Sequence, residues 1–467
     1  MFDVDGYRFI YVINTRRIGG TPDYNCSQYS KELEAICEEN KQGNNDIDAA
    51  FRYTKIGQNY DVGFLGAVES DENFSEGKDF LGVRYRVKKD SLSLGYLGTF
   101  VKNSIKDREA KVTALDIDYR SSDDFRIYGL LLNSIIEDQK GNGFRISLRK
   151  QVNQDLSTGF GILYLDEDLN LNDMGYLGRN DWMLFGGRTQ FRQTNFSKDS
   201  STLRREYTLM FSADSNLSGD QEPAKLAFEF ENYFKNTAEL EFEIFYRTKG
   251  KDNVITDSYK FAPYVEMPKG YGSEIAFAGP RNDLWTYGIQ LNIGKGSEYS
   301  PSFNKTYGYK GYIRIFPTDT LVFSLAYSND KEKEWLNWIE EDLLATYKRN
   351  KRVTALNLTW FKGNKHELRL KSQFVAFTAR NPKAYLANIK GQLNDVDISI
   401  PSFTLADVSF QVRYRYEILP LAYLYVVYTK GGRVEEMDEE DDLGKIYQRP
   451  WDEPTTDSFT IKLRYRF

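Results

Sequence analysis

Acidic and basic side chains stand at alternate positions along several stretches of this sequence. One stretch carries Glu229 and Glu231, and the next carries Glu239, Glu241 and Glu243. Because alternate residues of an extended strand point to the same side, each stretch would present a row of carboxylates. Basic residues repeat with the same spacing elsewhere, at Arg84, Arg86, Lys88, Arg413, Arg415, Lys462, Arg464 and Arg466. Unpaired charges are too costly for a dry core, so both rows predict a water-filled interior.

The two rows lie far apart in the chain, and this separation suggests an electrostatic function. If an acidic wall faces a basic wall across a lumen, the field between them can orient a polar solute. The alternative is that the charges only avoid lipid and are neutralised within each wall. The arrangement predicts a pore, and it does not specify a solute.

Residues for enzyme chemistry are scarce in this chain. His366 is the only histidine, so a Ser-His-Asp triad could be built only there, beside a predicted tight turn. No nucleophile-elbow, metalloprotease or phosphate-loop motif occurs. We therefore predict that the protein is not an enzyme, and keep a hydrolase using two Asp residues as a less favoured alternative.

Two acidic clusters, at 166–168 and 435–442, are the only candidates for ion binding. Several carboxylates could hold Ca²⁺ or bridge lipopolysaccharide phosphates through divalent ions. Neither cluster has the spacing of a calcium-binding loop, and a run of like charges is typical of a solvated loop. We expect no cofactor, with Ca²⁺ at these outer loops as the alternative.

Cys26 and Cys37 are the only cysteines and lie in one polar segment, 17–46. In an oxidising compartment such a pair predicts a loop-closing disulfide, worth up to about 3 kcal/mol by loop entropy. A metal site there is disfavoured because no histidine is near in sequence.

The elements that position these residues are strands. Alternation of apolar and polar residues recurs along all 467 residues, with short turns and long polar loops in turn. Counting strands from 7–16 to 457–467 gives about 22, with 20 to 24 as the range. The pattern predicts an all-β protein with a single large transmembrane antiparallel up-and-down β-barrel over 1–467. Its short turns would be periplasmic and its long loops extracellular.

Composition agrees with a barrel in the bacterial outer membrane. Aromatic residues make up 15% of the chain, as expected for girdles at two membrane interfaces, and no apolar run is long enough for a membrane helix. The net charge of −6 argues against a nucleic-acid partner. The sequence starts without a secretory signal, so we expect a mature or trimmed chain. The residue patterns of two segments, 30–39 and 332–347, predict short helices in outer loops.

The last strand carries a candidate assembly signal. Its apolar residues alternate with cationic ones and end on an aromatic residue: Phe459, Ile461, Leu463, Tyr465 and Phe467. This pattern resembles the carboxy-terminal signal of bacterial outer-membrane barrels. It implies the barrel assembly machinery, lipid and lipopolysaccharide as partners.

Two further segments resemble one bacterial family of unassigned function. The segment 9–19 contains Arg16, Arg17, Ile18 and Gly19, and has Asn14 and Thr15 where the family has an aromatic-serine pair. The segment 171–180 contains Asn172, Asp173, Gly175, Tyr176 and Arg179. In this family the barrel follows a periplasmic domain similar to family-nine carbohydrate-binding modules. The resemblance implies an outer-membrane barrel that opens at the first segment. For the second segment, a structured loop turn and a constriction loop remain open.

The function expected from these features is a pore, or a transport or docking component, for a bulky polar solute such as a carbohydrate. A barrel of this size is too wide for its own side chains to fill, so infolded loops, the preceding domain, or a plug or surface partner protein are expected to occlude the lumen. A surface scaffold that binds partners without transport is the alternative.

Overall fold

The computed structural model of the protein describes residues 10–28, 30–39, 45–71, 74–103, 108–122, 124–252, 264–295 and 305–465. Twenty-two strands belong to one antiparallel sheet, and four short strands form two separate two-stranded sheets. The fold is a large up-and-down β-barrel of the outer-membrane type. In the described part of the chain, no helix combines the length and apolar character needed to cross a bilayer.

The chain divides into two compact units, Met1–Thr189 with Ser212–Asp220, and Gln190–Phe211 with Gln221–Phe467. The first unit contains α1 and ten strands. These are β1 Ile10–Tyr11, α1 Lys31–Glu39, β2 Ile47–Ile56, β3 Tyr60–Glu69, β4 Lys78–Lys89, β5 Leu92–Asn103, β6 Arg108–Ser122, β7 Phe125–Ile136, β8 Gln139–Gln151, β9 Leu156–Leu165 and β10 Tyr176–Leu177. Two single turns of 3-10 helix, Thr15–Arg17 and Cys26–Gln28, precede α1.

Two strands, β11 Trp182–Gln193 and β12 Thr202–Ser215, have residues in both units. The second unit contains α2 and the remaining strands. These are β13 Lys225–Phe234, β14 Glu239–Arg247, β15 Gly250–Asp252, β16 Val265–Met267, β17 Gly270–Ala278, β18 Trp285–Lys295, β19 Lys305–Thr318, β20 Leu321–Glu340, β21 Leu343–Lys362, β22 His366–Ala387, β23 Leu393–Val396, β24 Phe403–Leu419, β25 Ala422–Glu436, α2 Leu443–Asp452 and β26 Thr456–Arg464.

Neighbouring residues of one strand have opposite environments, as the sequence alternation predicts. In β5, Leu97 is fully buried while Tyr96 is 43% exposed, and in β7, Leu130 is 2% exposed while Leu131 is 57% exposed. The exposed side of each unit is rich in large apolar residues, for example Ile293 in β18. A continuous apolar exposed side is what a membrane-spanning strand presents to lipid. We call it the apolar face, and the opposite side the inner face.

The first predicted strand, 7–16, is not part of the large sheet. Its described residues Ile10 and Tyr11 pair instead with Leu177 and Tyr176, and Thr15–Arg17 form a 3-10 turn. The twenty-second strand of the sheet is β23, which pairs with the far end of β22 along the edge that β24 also uses. The predicted number of strands, 22, is therefore correct, but the sheet contains β23 instead of the predicted strand 7–16.

The helix predicted at 332–347 is wrong, because the segment forms the tip of the β20–β21 hairpin. Trp335 lies opposite Tyr347, and Glu341 makes the turn with a positive φ of 43°. Tertiary packing explains the outcome: Trp335, Ile339 and Tyr347 pack together with a neighbouring strand, and a lone helix could not do this. The predicted helix at 30–39 is confirmed as α1.

The predicted disulfide is present and closes the loop before β2. Cys26 and Cys37 are bonded, with Cα atoms 5.6 Å apart, and both are buried. This bond fixes the start of the second 3-10 segment to the last turns of α1.

Candidate functional site

The predicted acidic residues form one block on the inner face of the second unit. In register, Glu229 lies opposite Glu243, and Glu231 lies opposite Glu241. Glu243 in turn lies opposite Glu274 of β17, which the sequence interpretation missed although it fits the same alternation. Directly opposite like charges destabilise a strand pair. The block therefore costs electrostatic free energy, and packing alone does not explain why these carboxylates lie together.

Two side chains of β13 contact the acidic block. Lys225 Nζ lies 3.1 Å from Glu243 Oε1, and the Tyr233 hydroxyl donates to Glu231 Oε1 at 3.2 Å. Lys225 offsets one carboxylate charge, whereas the Tyr233 hydroxyl is a neutral donor. Arg204 lies over the Tyr233 ring at 4.0 Å and brings a second cation to this end of the block.

The predicted basic residues of β24 gather around one carboxylate that the sequence interpretation missed. Glu367 of β22 pairs with Arg369, with Arg413 at 3.6 Å and with Arg415 at 2.9 Å. Glu367 is 2% exposed, while the three guanidinium side chains are 32–41% exposed. Three positive charges around one negative charge leave the cluster cationic. Glu367 alternates with Arg369 in sequence, and that pattern was the signal available for finding it.

Lys462 and Arg464 extend this basic region on the same face. Lys462 lies opposite Tyr425, which lies opposite Arg415, and Arg464 lies opposite Tyr423. Arg466 falls outside the described residues. Strand register thus places the acidic block and these basic residues on one face of the second unit. The opposition of the two walls across a lumen stays a prediction.

The basic residues predicted in β4 have a different environment, because two of them are paired in the first unit. Arg84, 1% exposed, donates two hydrogen bonds to the Asp116 carboxylate at 2.5 and 3.0 Å. Lys88 pairs with Asp61 at 2.7 Å. Arg86 is half-buried on the same inner face. Pairing of this kind neutralises charge within the wall, so Arg84 and Lys88 add little to a long-range field.

The two family-like segments meet on the inner face of the first unit. We call residues 10–20 and 166–181 together the clasp. The backbone N–H of Asn14 donates to the carbonyl of Met174 at 2.8 Å, and Arg17 Nε donates to the carbonyl of Gly175 at 3.2 Å. Arg17 also donates to Asn172 Oδ1 at 3.5 Å. Segments more than 150 residues apart in sequence therefore form one local structure.

A salt bridge and an apolar cluster fix the clasp to the sheet. Arg108 of β6 binds Asp173 through two hydrogen bonds of 3.0 and 2.9 Å. The buried clasp residues pack on buried inner-face residues of the sheet. On the clasp side these are Ile10, Val12, Leu169, Leu171, Met174 and Leu177. Burying each such side chain contributes about 1.5–3 kcal/mol.

Gly175 is required where the two parts of the clasp cross. A Cβ atom there would lie 2.2 Å from the Tyr11 carbonyl oxygen and 2.8 Å from that of Leu171. The backbone can approach this closely only without a side chain. The second segment is thus a structured turn, as the first of the two readings has it, and it packs on the inner face of the sheet. That it constricts a pore stays a prediction.

Arg16 and Arg17 differ in role. Both residues are exposed, but the Arg17 side chain hydrogen-bonds across the clasp, whereas the backbone N–H of Arg16 donates to Asn14 Oδ1. Neither residue ends a strand of the large sheet. Other motif residues contribute separately: Gly19 N–H donates to Glu69 at 2.8 Å, and Arg179 lies over the Trp182 ring at 5.2 Å.

The acidic loop at 435–442 is anchored rather than free in solvent. Arg380 of β22 donates to the carbonyl oxygens of Asp438 and Glu440, at 3.2 and 2.6 Å. Arg449 of α2 pairs with Asp438. Burial raises the pKa of Asp438, but its hydrogen bonds with Arg449, Thr404 and the backbone of Glu440, together with the charge of Arg449, outweigh burial, so the pKa lies below the ordinary value. The backbone N–H of Asp442 and the side chain of Lys445 likewise lower the pKa of Glu440.

The described residues do not assemble the metal site considered from sequence. They contain no group of three or more His, Cys, Asp or Glu side chains placed to hold an ion. His366 Nδ1 is 2.6 Å from the Tyr414 hydroxyl, and its ring packs on Tyr416 at 4.9 Å. Ca²⁺ binding at the outer loops stays an untested prediction.

A model of the family described as a domain of unknown function, DUF5916, matches residues 85–467. The chain belongs to this family. The match spans the acidic block, the basic cluster and the second clasp segment, so these features lie within the DUF5916 region.

Solved structures similar to this DUF5916 chain are outer-membrane proteins at low identity. The siderophore receptor PirA from Acinetobacter baumannii has 11% identity and a TM-score of 0.38, over 88% of this chain and 73% of that chain. The ferric citrate transporter FecA in the unliganded form has 10% identity and a TM-score of 0.35, over 82% and 70%. A bacterial polysaccharide outer membrane secretin has 12% identity and a TM-score of 0.32, over 60% and 93%.

No curated protein matches the chain in sequence. The chain folds as a large antiparallel β-barrel. Its exposed apolar strand faces and its aromatic content agree with the outer-membrane location expected from the sequence.

Proposed function

We propose that the protein is a pore, or a transport or docking component, for a bulky polar solute in the outer membrane. The observation that carries the proposal is the inner face of the second unit. The acidic block of β13, β14 and β17 and the basic residues of β22, β24 and β26 lie on one side of the sheet, opposite the apolar face. Charges repeated at this density need water beside them, and a membrane protein offers that only in a lumen.

A carbohydrate is the solute class that we favour, and this choice rests on the family resemblance described above. Barrels of that family follow a domain similar to a carbohydrate-binding module, which would deliver sugar to the barrel. Contact with lipid and lipopolysaccharide through the apolar face, insertion by the assembly machinery, and a plug or surface partner belong to the same proposal.

A surface scaffold is the second candidate, and the long-loop end of the second unit favours it. Strands β20, β21 and β22 have 20, 20 and 22 residues, about twice the 9–11 needed to cross a bilayer. Residues 343–347 of β21 are buried in succession, so both faces of that strand are covered. Such an extension is a rigid platform on which a partner could dock.

Conductance of the purified barrel in a planar bilayer distinguishes the two functions. A pore gives current whose reversal potential in a salt gradient shifts toward anions when Glu239, Glu241 and Glu243 are changed together to Gln. The control changes Glu32, Glu34 and Glu38 of α1 to Gln, which removes the same charge outside the sheet. A barrel that inserts and stays silent would contradict the pore and leave the scaffold.

A further inference from the structure

We propose that the basic cluster around Glu367 is a binding site for the oxyanion groups of a solute, such as carboxylates or phosphate or sulfate esters. The inference deepens the proposed function, on which it rests, by naming the charge class of the solute. It concerns the short-turn end of β22, β24, β25 and β26 in the second unit.

Glu367 holds three guanidinium groups in place. Its buried carboxylate pairs with Arg369, Arg413 and Arg415, which remain about one-third or more exposed. Each guanidinium has five N–H donors, and a pair with one carboxylate uses only part of them. Glu367 therefore positions the arginines, and each arginine still has N–H donors that this pairing does not use.

Arg415 is held from a second side as well. Its guanidinium carbon lies 5.1 Å from the centre of the Tyr423 ring. A cation stacked on an aromatic ring and paired with a buried carboxylate has few alternative rotamers. Preorganised donors of this kind reduce the entropy that a ligand must overcome on binding.

Further cations surround the three arginines. Lys371 stands two residues beyond Arg369 on the inner face, and Lys462 and Arg464 stand on β26. With strands about 4.8 Å apart, the three steps from β22 to β26 spread the group over about 14 Å across the strands. Among the described residues of these four strands, Glu417 is the second carboxylate at this end of the face, so six cations face two acids there.

An oxyanion fits this patch better than a neutral sugar does. Paired N–H groups of arginine match the two oxygens of a carboxylate or phosphate, and charge strengthens these hydrogen bonds. The clustered cations repel one another, and a bound anion would relieve this repulsion. A neutral hydroxyl group would relieve none of it.

Equilibrium binding to the detergent-solubilised full chain tests the site without requiring conductance. The probes for calorimetry are inorganic tripolyphosphate, oligogalacturonate and neutral maltohexaose. We expect both anions to bind with affinity that falls as salt rises, and maltohexaose not to bind. Binding of one anion alone assigns the site to that oxyanion.

The variant pair is Arg413→Gln with Arg415→Gln, and its matched control is Lys310→Gln with Arg314→Gln on β19 of the same face. The first should lose about tenfold or more in affinity, and the control much less. Arg413→Lys with Arg415→Lys keeps the positive charges but removes the paired N–H donors of the guanidinium groups, so it should give an intermediate loss of affinity. This variant replaces the Gln variant if the latter does not fold.

Absence of binding by both anions, or equal losses in the variant and its control, would overturn the oxyanion site. Equal or tighter binding of maltohexaose would do the same. A barrel that binds anions but does not conduct would contradict the pore and leave this site standing.

Discussion

Replacing Gly175 with alanine is the most direct test of the clasp. The new Cβ would lie 2.2 Å from the Tyr11 carbonyl oxygen and 2.8 Å from the carbonyl oxygens of Leu171 and Val12. One segment must therefore move by roughly 1 Å to restore ordinary van der Waals distances. Overpacking of this kind costs about 1–3 kcal/mol.

The same displacement weakens two hydrogen bonds across the clasp. They join Asn14 N–H to the Met174 carbonyl and Arg17 Nε to the Gly175 carbonyl. Each contributes about 0.5–1.5 kcal/mol. The combined effect on the closed clasp is about 2–5 kcal/mol, while the sheet keeps its own hydrogen bonds and stays folded.

Amide hydrogen exchange followed by mass spectrometry measures this opening locally. At 1.4 kcal/mol for each factor of ten, exchange in peptides covering 10–20 and 168–177 should rise by roughly thirtyfold or more, with the strands unchanged. Gly161→Ala in β9 is the control, because its Cβ would meet nothing nearer than 3.7 Å. Equal protection of the clasp in both variants would refute the steric argument.

Three further predictions concern other parts of the chain. Protein recovered from the cell envelope should resist maleimide labelling at Cys26 and Cys37 until it is reduced; labelling without reduction would show that the loop is held otherwise. Deleting Phe467, or replacing it with a charged residue, should reduce the yield of heat-modifiable barrel, since the last strand must present an apolar face during assembly. The lowered pKa of Asp438 means that its pair with Arg449 stabilises the outer loop above the ordinary carboxyl pKa, and this contribution is lost as pH falls through the lowered value. Proteolysis of the loop should therefore be constant from pH 7 to about 5 and increase at more acidic pH, and Asp438→Asn should reduce that dependence and leave the part that comes from Glu440.

Period-two alternation was sufficient to predict most strands, because each strand has one apolar and one polar side. Even the weak segment predicted at 272–279 corresponds to β17, Gly270–Ala278. The segment 7–16 was misassigned for a tertiary reason. Its apolar residues Ile10 and Val12 are buried against the sheet's inner face, and no local pattern separates that from burial in a wall strand.

The false helix has a geometric explanation. Trp335, Ile339, Leu343 and Tyr347 are spaced by four residues, and this spacing puts residues on one side of a helix and also on one side of a strand. Only the segment length and a turn signal could distinguish a helix from a hairpin. The two-residue turn at Glu341 contains no glycine, which is the usual sequence signal for such a turn. The pattern was therefore ambiguous in principle.

Charge pairing was the part of the site that sequence could not supply. The alternation placed Arg84 and Arg413 on an inner face, but their partners Asp116 and Glu367 come from other strands, 32 and 46 positions away. Only the register of the sheet brings them together. The two family-like segments were recognised separately for the same reason, and their contact is a property of the folded chain.

The strict alternation of faces has a consequence for how this protein can change its size. Inserting one residue into a strand would exchange the two sides of that strand and turn carboxylates toward lipid. Removing or adding a whole hairpin leaves every other side chain on its own side. The width of such a barrel therefore changes most readily by adding or removing two strands together with their turn, in evolution or in engineering.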